Sequence, residues 1–286
     1  MTDTHHRHDH AAEPDWAAQA ELLDLDAEVL HEYLSDVMAW IGRQAAGSPV
    51  ERILDVGCGT GTGAVALARF FGQAEVTALD KSGELLARCA AKARDIGVAE
   101  RVRTIEADLD QAWPELAAVN LAWASNSLHH LADPGRGLAE LRAIIAAGGL
   151  LAVAELDSFP RFLPDDIGFG RPGLEARCHA ALAETAAHEV PHLGDDWGAR
   201  LRAAGFAVQA ERTFTINLEP PLPPSAGRLA TASLRRLRSG VDDRLDADDL
   251  AALDALLDDA GPRSLLRRHD LTVSAVRSAW IARPVS

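Results

Sequence analysis

The stretch Ile53-Leu-Asp-Val-Gly-Cys-Gly-Thr-Gly-Thr-Gly63 decides how this chain is read. Ile53, Leu54 and Val56 flank Asp55, as expected of a strand buried on both faces of a sheet. Glycines then alternate at 57, 59, 61 and 63, and Ala64-Val-Ala-Leu-Ala-Arg-Phe-Phe71 follows with amphipathic helical spacing. In a strand, glycine loop and helix so joined, a ligand can approach bare backbone, because no Cβ stands in the way. The helix start adds free N–H groups and partial positive charge. A tight turn that binds nothing is the alternative, but glycines so close together weaken a fold unless the space is used.

Outward from that stretch, strand and helix alternate from 51 to 157. Strands are expected at 75–79, 101–106, 119–124 and 150–155, with helices from Ser82 to Ala93 and from Gly135 to about Ala146. Gly148-Gly149 is read as the turn into the fifth of these strands. The alternation predicts an α/β, Rossmann-like, doubly wound and mostly parallel seven-stranded sheet, with N-terminal helices and helical insertions. Residues 1–13, with His5, His6, His8 and His10, read as a disordered tail whose histidines either bind a divalent metal or are simply solvated. Residues 14–49 read as a helical cap, 50–157 as the ligand-binding core and 158–194 as a substrate lid insertion. Residues 195–286 would complete the sheet, with a helical insertion at about 225–268.

Acidic residues outnumber basic ones 43 to 28, a net charge of −15. That argues against a nucleic-acid partner, which needs clustered Lys and Arg to neutralise phosphates. No apolar run reaches the roughly 18 residues of a membrane span, and the polar first 13 residues lack the apolar core of a secretory signal. Cys58, Cys89 and Cys178 are far apart, so a reduced, cytoplasmic setting is expected. The expected partner is a small-molecule substrate, with the chain a monomer or homodimer and no metal site.

Two cofactor classes use such a loop. Gly59, Gly61 and Ala64 satisfy the dinucleotide pattern G-x-G-x-x-G/A, a weak signal alone. Three features favour the other class, S-adenosyl-L-methionine. The glycines begin directly after Asp-Val, Asp80 ends the second strand, and Asp108, followed by Leu109, ends the third. With Leu79-Asp80-Lys-Ser82, Glu106-Ala-Asp108-Leu109, Ser125-Asn-Ser-Leu-His-His-Leu-Ala-Asp-Pro134 and Gly148-Gly149, the chain resembles the class I S-adenosylmethionine-dependent methyltransferases. It is most similar to the small-molecule group that includes the ubiquinone and menaquinone biosynthesis enzymes. The resemblance covers roughly 50–157.

It implies that backbone at Gly57, Cys58, Gly59 and Gly61 passes close to the cofactor. Asp55 would order the loop and help satisfy the methionine ammonium. Asp80 would hold the ribose diol, with Lys81 beside it, and Asp108 with Leu109 would meet the adenine. Asn126 would lie near the methionine end, and the product would be S-adenosyl-L-homocysteine. The plain readings stay open: Asp80 as a helix cap, Asp108 as a solvated turn, Asn126 as a turn former. His129 and His130 follow the fourth strand and are candidate general bases, or loop-ordering residues. Glu155 and Asp157 are further candidates. Tyr33, Phe159, Phe162 and Phe169 are candidate substrate contacts, with core packing as the competing account. The leading expectation is methyl transfer to an apolar or aromatic metabolite. A catalytically silent cofactor-binding protein and an NAD(P)-dependent oxidoreductase are the alternatives.

Overall fold

The computed structural model describes residues 15–47 and 49–285. The His-rich tail lies outside them. Its centre is β1 (Arg52–Val56), in which Ile53 and Asp55 face one helical layer while Leu54 and Val56 face the other. On either side run β2 (Glu75–Asp80), β3 (Val102–Glu106), β4 (Val119–Ser125) and β5 (Ile145–Leu156), all parallel. β6 (Phe206–Leu218) and β7 (Val273–Pro284) complete a seven-stranded sheet of order β3-β2-β1-β4-β5-β7-β6, with β7 antiparallel to both its neighbours.

The helices begin where the sequence supplies caps. Asp15 accepts from Ala18 N (3.0 Å) at the start of α1 (Trp16–Val29), and Leu30 breaks the run before α2 (His31–Gln44). α3 (Thr62–Phe70) follows the glycine loop. Ser82 caps α4 (Gly83–Asp95). Asp133, followed by Pro134, caps α5 (Pro134–Ile144), and Asp196 caps α7 (Trp197–Ala203). α6 spans Leu174–Glu189, α8 Pro224–Gly240 and α9 Ala247–Leu257. Apolar faces of α2, α3 and α4 pack on one side of the sheet and those of α5 and α7 on the other.

Two local expectations are corrected. Gly148-Gly149 is no turn: β5 already starts at Ile145, and the pair forms an irregularity inside the strand, where the register to β4 shifts between Val119 and Leu121. A Cβ on Gly149 would stand 2.9 Å from the carbonyl oxygens of Ala146 and Asn120. Phe162 and Phe169, read as candidate substrate contacts, are instead held against the protein. Arg161 pairs with Ser274 beside β7, and Phe162, 1% exposed, sits in the core with its N–H donated to the Glu175 carboxylate. The Phe169 ring is covered by Arg263, 4.3 Å from its centroid. These side chains are held by packing and by polar partners of their own, as core aromatics are.

Candidate active site

β1, β2, β3 and β4 end on one edge of the sheet, where loops and helix starts leave backbone exposed. A cavity of about 850 Å³ opens there. Its inner side is lined by Asp55, Gly57, Cys58, Gly59, Asp80, Lys81, Asp108, Leu109 and Asn126; its outer side is formed by α1, the start of α2, α8 and Arg277 of β7.

The glycine loop is shaped by close packing. Gly61 has φ 78°, and a Cβ there would lie 2.3 Å from Cys89 Sγ. Gly57 has φ 65° and would collide with Ser127 Cβ at 2.5 Å. Gly61 itself stands behind the loop and does not line the cavity. The Cys58 thiol is pushed well up, first by its hydrogen bond with Cys89 and then by burial. Asp80 ties the loop to β2, accepting from Gly59 N at 2.9 Å and from Ser82 N at 3.0 Å. Asp108 accepts from Asp110 N and from Gln111 Nε2.

Beside the loop, Oδ2 of Asp55 and Oδ1 of Asn126 are among the buried oxygens with no partner among the described residues. Asp55 is 2% exposed, and burial, with the nearby Cys89 and Asp80, pushes its carboxyl well above the usual range. Asn126 holds φ 50°, a left-handed conformation uncommon outside glycine. Buried polar groups left unsatisfied, in a strained turn at the end of a strand, are what a bound polar ligand would complete. An acidic lining of Asp55, Asp80, Asp108 and Asp110 suits a cation that also carries donor groups, so the residues fit S-adenosyl-L-methionine.

The two histidines have different surroundings. His129 is buried and bonds through Nδ1 to Glu155, whose other oxygen accepts from Ser127 N and Leu128 N. Neither His129 nor Glu155 lines the cavity; together they hold the loop after β4 in shape. His130 does line it, an exposed residue whose ring is tilted at 47° to that of His129 with centroids 4.2 Å apart. Desolvation inside the cavity, then His129, Lys81 and Arg236, pull its pKa down to about 4, so the ring is neutral near pH 7. Asp157 is bonded by Ser278 Oγ at 3.0 Å.

Among the candidate substrate contacts, Tyr33 lines the cavity, whereas Phe159, Phe162 and Phe169 do not. Among the described residues, none of 158–194 lines this cavity, whose outer side is formed by α1, the start of α2, α8 and Arg277. Sequence reasoning missed Asp26, Arg236 and Arg277. For Arg277 a signal existed: it shares the buried strand face of Val273 and Ala275, where a charge is out of place.

Residues 53–149 match the family model described as a methyltransferase domain. The chain is 30% identical over 171 residues to an O-methyltransferase of Aspergillus nomiae, covering 59% of this chain and 69% of that protein. It is 32% identical over 166 residues to a ubiquinone biosynthesis O-methyltransferase of Alkalilimnicola ehrlichii, covering 56% and 65%. The chain spans 62% of a 27-O-demethylrifamycin SV methyltransferase of Amycolatopsis mediterranei and 24% of an uncharacterized Synechococcus protein. Among solved structures, it is similar to an S-adenosylmethionine-dependent methyltransferase from Geobacter sulfurreducens in complex with S-adenosyl-L-homocysteine. The TM-score is 0.50 at 18% identity, covering 87% of this chain and 91% of that one. The [4+2]-cyclase SpnF shares the fold at TM-score 0.51 and 23% identity, covering 88% and 81%.

The chain belongs to the class I S-adenosylmethionine-dependent methyltransferases. Its cofactor class is accordingly S-adenosyl-L-methionine rather than a nicotinamide dinucleotide.

Proposed function

We propose that this protein transfers a methyl group from S-adenosyl-L-methionine to a small apolar or aromatic acceptor, acting in the cytoplasm as a monomer or homodimer. The observation that carries this is the single cavity joining the Asp55–Asp80–Asp108 edge to a wall of helices on which no cofactor-motif residue lies. When bound, the cofactor supplies an activated methyl on a cationic sulfonium. Asp80 would accept the ribose hydroxyls, and Asp108 with the Leu109 backbone would meet the adenine. Asp55 and Asn126, each with a buried unpartnered oxygen, would receive the methionine end.

Catalysis would rest on desolvation and alignment, with the acceptor held in line behind the methyl by α1, α2 and α8. Gly57, Cys58 and Gly59 keep the loop backbone open toward the cofactor. His130, neutral and facing the cavity, is placed to orient a nucleophile, while His129 and Glu155 act as positioning residues. O-methyltransferases among the named relatives favour an oxygen nucleophile. Among the described residues no helix is long and apolar enough to cross a membrane.

The test is calorimetric titration with S-adenosyl-L-methionine, S-adenosyl-L-homocysteine and NAD(H), followed by a labelled-methyl screen over small acceptors. Binding of the first two and label transfer to one acceptor class are expected. NAD(H) binding without sulfonium binding would refute the reading. Tight cofactor binding with no transfer to any acceptor would mark a silent or repurposed member, as the shared fold of a cyclase allows.

A further inference from the structure

The outer wall of the cavity carries an unusual buried group. Arg277 lies next to the end of β5, paired in register with Leu156, and is 4% exposed. Its Nη2 donates to both oxygens of Asp26, at 2.7 and 2.9 Å. The carboxylate therefore engages one nitrogen of the guanidinium, not the two-pronged fork that saturates it. Nε is buried without a partner among the described residues. The guanidinium carbon sits 4.9 Å from the centroid of the Tyr33 ring, and the buried Tyr33 hydroxyl lies beside the guanidinium and interacts with it, without a well-formed hydrogen bond. Phe214 braces that ring edge-on, with centroids 5.2 Å apart.

Unused donors on a buried cation are costly, and native structures keep them where something else completes them. Both residues line the cavity. The distribution of charge across it is uneven. Asp55, Asp80, Asp108 and Asp110 line the cofactor side, whereas the opposite wall presents Arg277 and Arg236. Arg236 reaches only the neutral amide of Gln19, at 3.3 Å, and forms no ion pair among the described residues. On that wall Asp26 is half-matched to Arg277, and the other acids lining it, Glu21 of α1 and its cap Asp15, are exposed. His130, with its pKa pulled down to about 4, is unprotonated near pH 7 and a weak proton acceptor.

Resting on the methyltransferase reading, we propose that the acceptor bears an anionic oxygen, and that Arg277 and the Tyr33 hydroxyl bind it, with Arg236 adding charge at the wall. The oxygen belongs to a carboxylate or to an ionised acidic hydroxyl such as a phenol. A cationic cofactor and an anionic acceptor then occupy opposite, charge-matched halves of one cavity, and binding one favours the other. Neutral isosteres leave the donors of Arg277 unpaired and are rejected.

The experiment uses the full chain saturated with S-adenosyl-L-homocysteine and titrated with matched probes. One arm compares 4-hydroxybenzoate with 4-hydroxybenzamide at neutral pH. The other compares 4-nitrophenol with 4-nitroanisole at mildly alkaline pH, which separates the carboxylate source from the phenolate source. At least one anion is expected to bind about tenfold or more tightly than its neutral partner. Tyr33→Phe is expected to cut that ratio several-fold, and Arg277→Gln to abolish it, with S-adenosyl-L-homocysteine affinity unchanged in both. Arg277→Gln exposes Asp26 to loss of its partner, so Tyr33→Phe, which removes one oxygen atom only, carries the test if the arginine variant does not fold. Equal binding of anion and neutral partner, no probe binding at millimolar concentration, or an unchanged ratio in Tyr33→Phe would each overturn the proposal. Failure of the unmodified protein to bind S-adenosyl-L-homocysteine would overturn the methyltransferase reading beneath it.

Discussion

Replacing Asp55 by Asn should move stability and cofactor affinity in opposite directions. The carboxylate is 2% exposed, and one of its oxygens has no partner among the described residues. Its pKa is raised by burial and then by Cys89 and Asp80, so ionising it costs stability as pH rises through that raised value. An unsatisfied buried charged group costs about 1–3 kcal/mol or more. The amide keeps the shape without the charge, so the cofactor-free variant should melt higher, by about 2 °C for each kcal/mol regained in a chain of this size. Against the cofactor the balance reverses. A charge-assisted hydrogen bond to the methionine ammonium is worth about 1.5–3 kcal/mol, so affinity should fall by roughly 10- to 150-fold. Thermal melts of the free protein and calorimetry with S-adenosyl-L-homocysteine measure the two. A variant that melts several degrees lower and binds as well as the parent would show that the carboxylate serves the fold, and would refute the cofactor role.

Asp80→Ala removes the acceptor of Gly59 N and Ser82 N as well as the ribose contact, so affinity for S-adenosyl-L-homocysteine should fall by about 30-fold or more by calorimetry. Glu155→Ala strands two backbone N–H groups and the His129 ring, and should lower stability by about 3 kcal/mol in urea unfolding; Glu155→Gln, which still accepts, should lose much less. Gly61→Ala places a methyl against Cys89 at positive φ and should cost roughly 2–4 kcal/mol, or prevent soluble expression. His179, pulled down to about 4 by burial and Arg161, titrates first in the unfolded chain, so stability drops as pH falls from about 6.5 toward 4. His179→Gln should remove about 1 kcal/mol of that acid-side loss, allowing for the partial exposure of the ring, as read from urea midpoints near pH 5.

How much of this was legible beforehand follows from where each signal lies in the chain. That Asp55, Gly57, Gly59, Asp80, Asp108 and Asn126 line one cavity was readable because each lies at or just past the C-terminal end of a parallel strand, and all such ends share one edge. The glycine loop was ambiguous alone and became specific only with the acids of neighbouring strands. Gly148-Gly149 was misread because a glycine pair looks the same in a turn and in a strand irregularity; the register to β4 decides between them. Phe162 and Phe169 carried the same apolar signal whether facing a ligand or the core, and the Glu175 and Arg263 partners that hold them lie elsewhere in the chain. The acceptor wall was the least legible part. Asp26, Tyr33 and Arg277 meet across roughly 250 residues, and Arg236 joins the same cavity from α8, with no local spacing to betray them.

That separation in sequence has a consequence for how such a protein can change. The edge formed by β1, β2 and β3 is written in residues 52–109, whereas α1, α2 and α8 come from before the sheet and from the link between β6 and β7. These helices can diverge, lengthen or be exchanged without altering any strand that cradles the cofactor. On the proposed reading, retargeting the protein to a new acceptor is a problem of grafting two peripheral segments, 16–44 and 224–240, onto the half of the cavity built from the strand ends. A chimera built at those borders would keep its methyl source while inheriting another protein's choice of recipient.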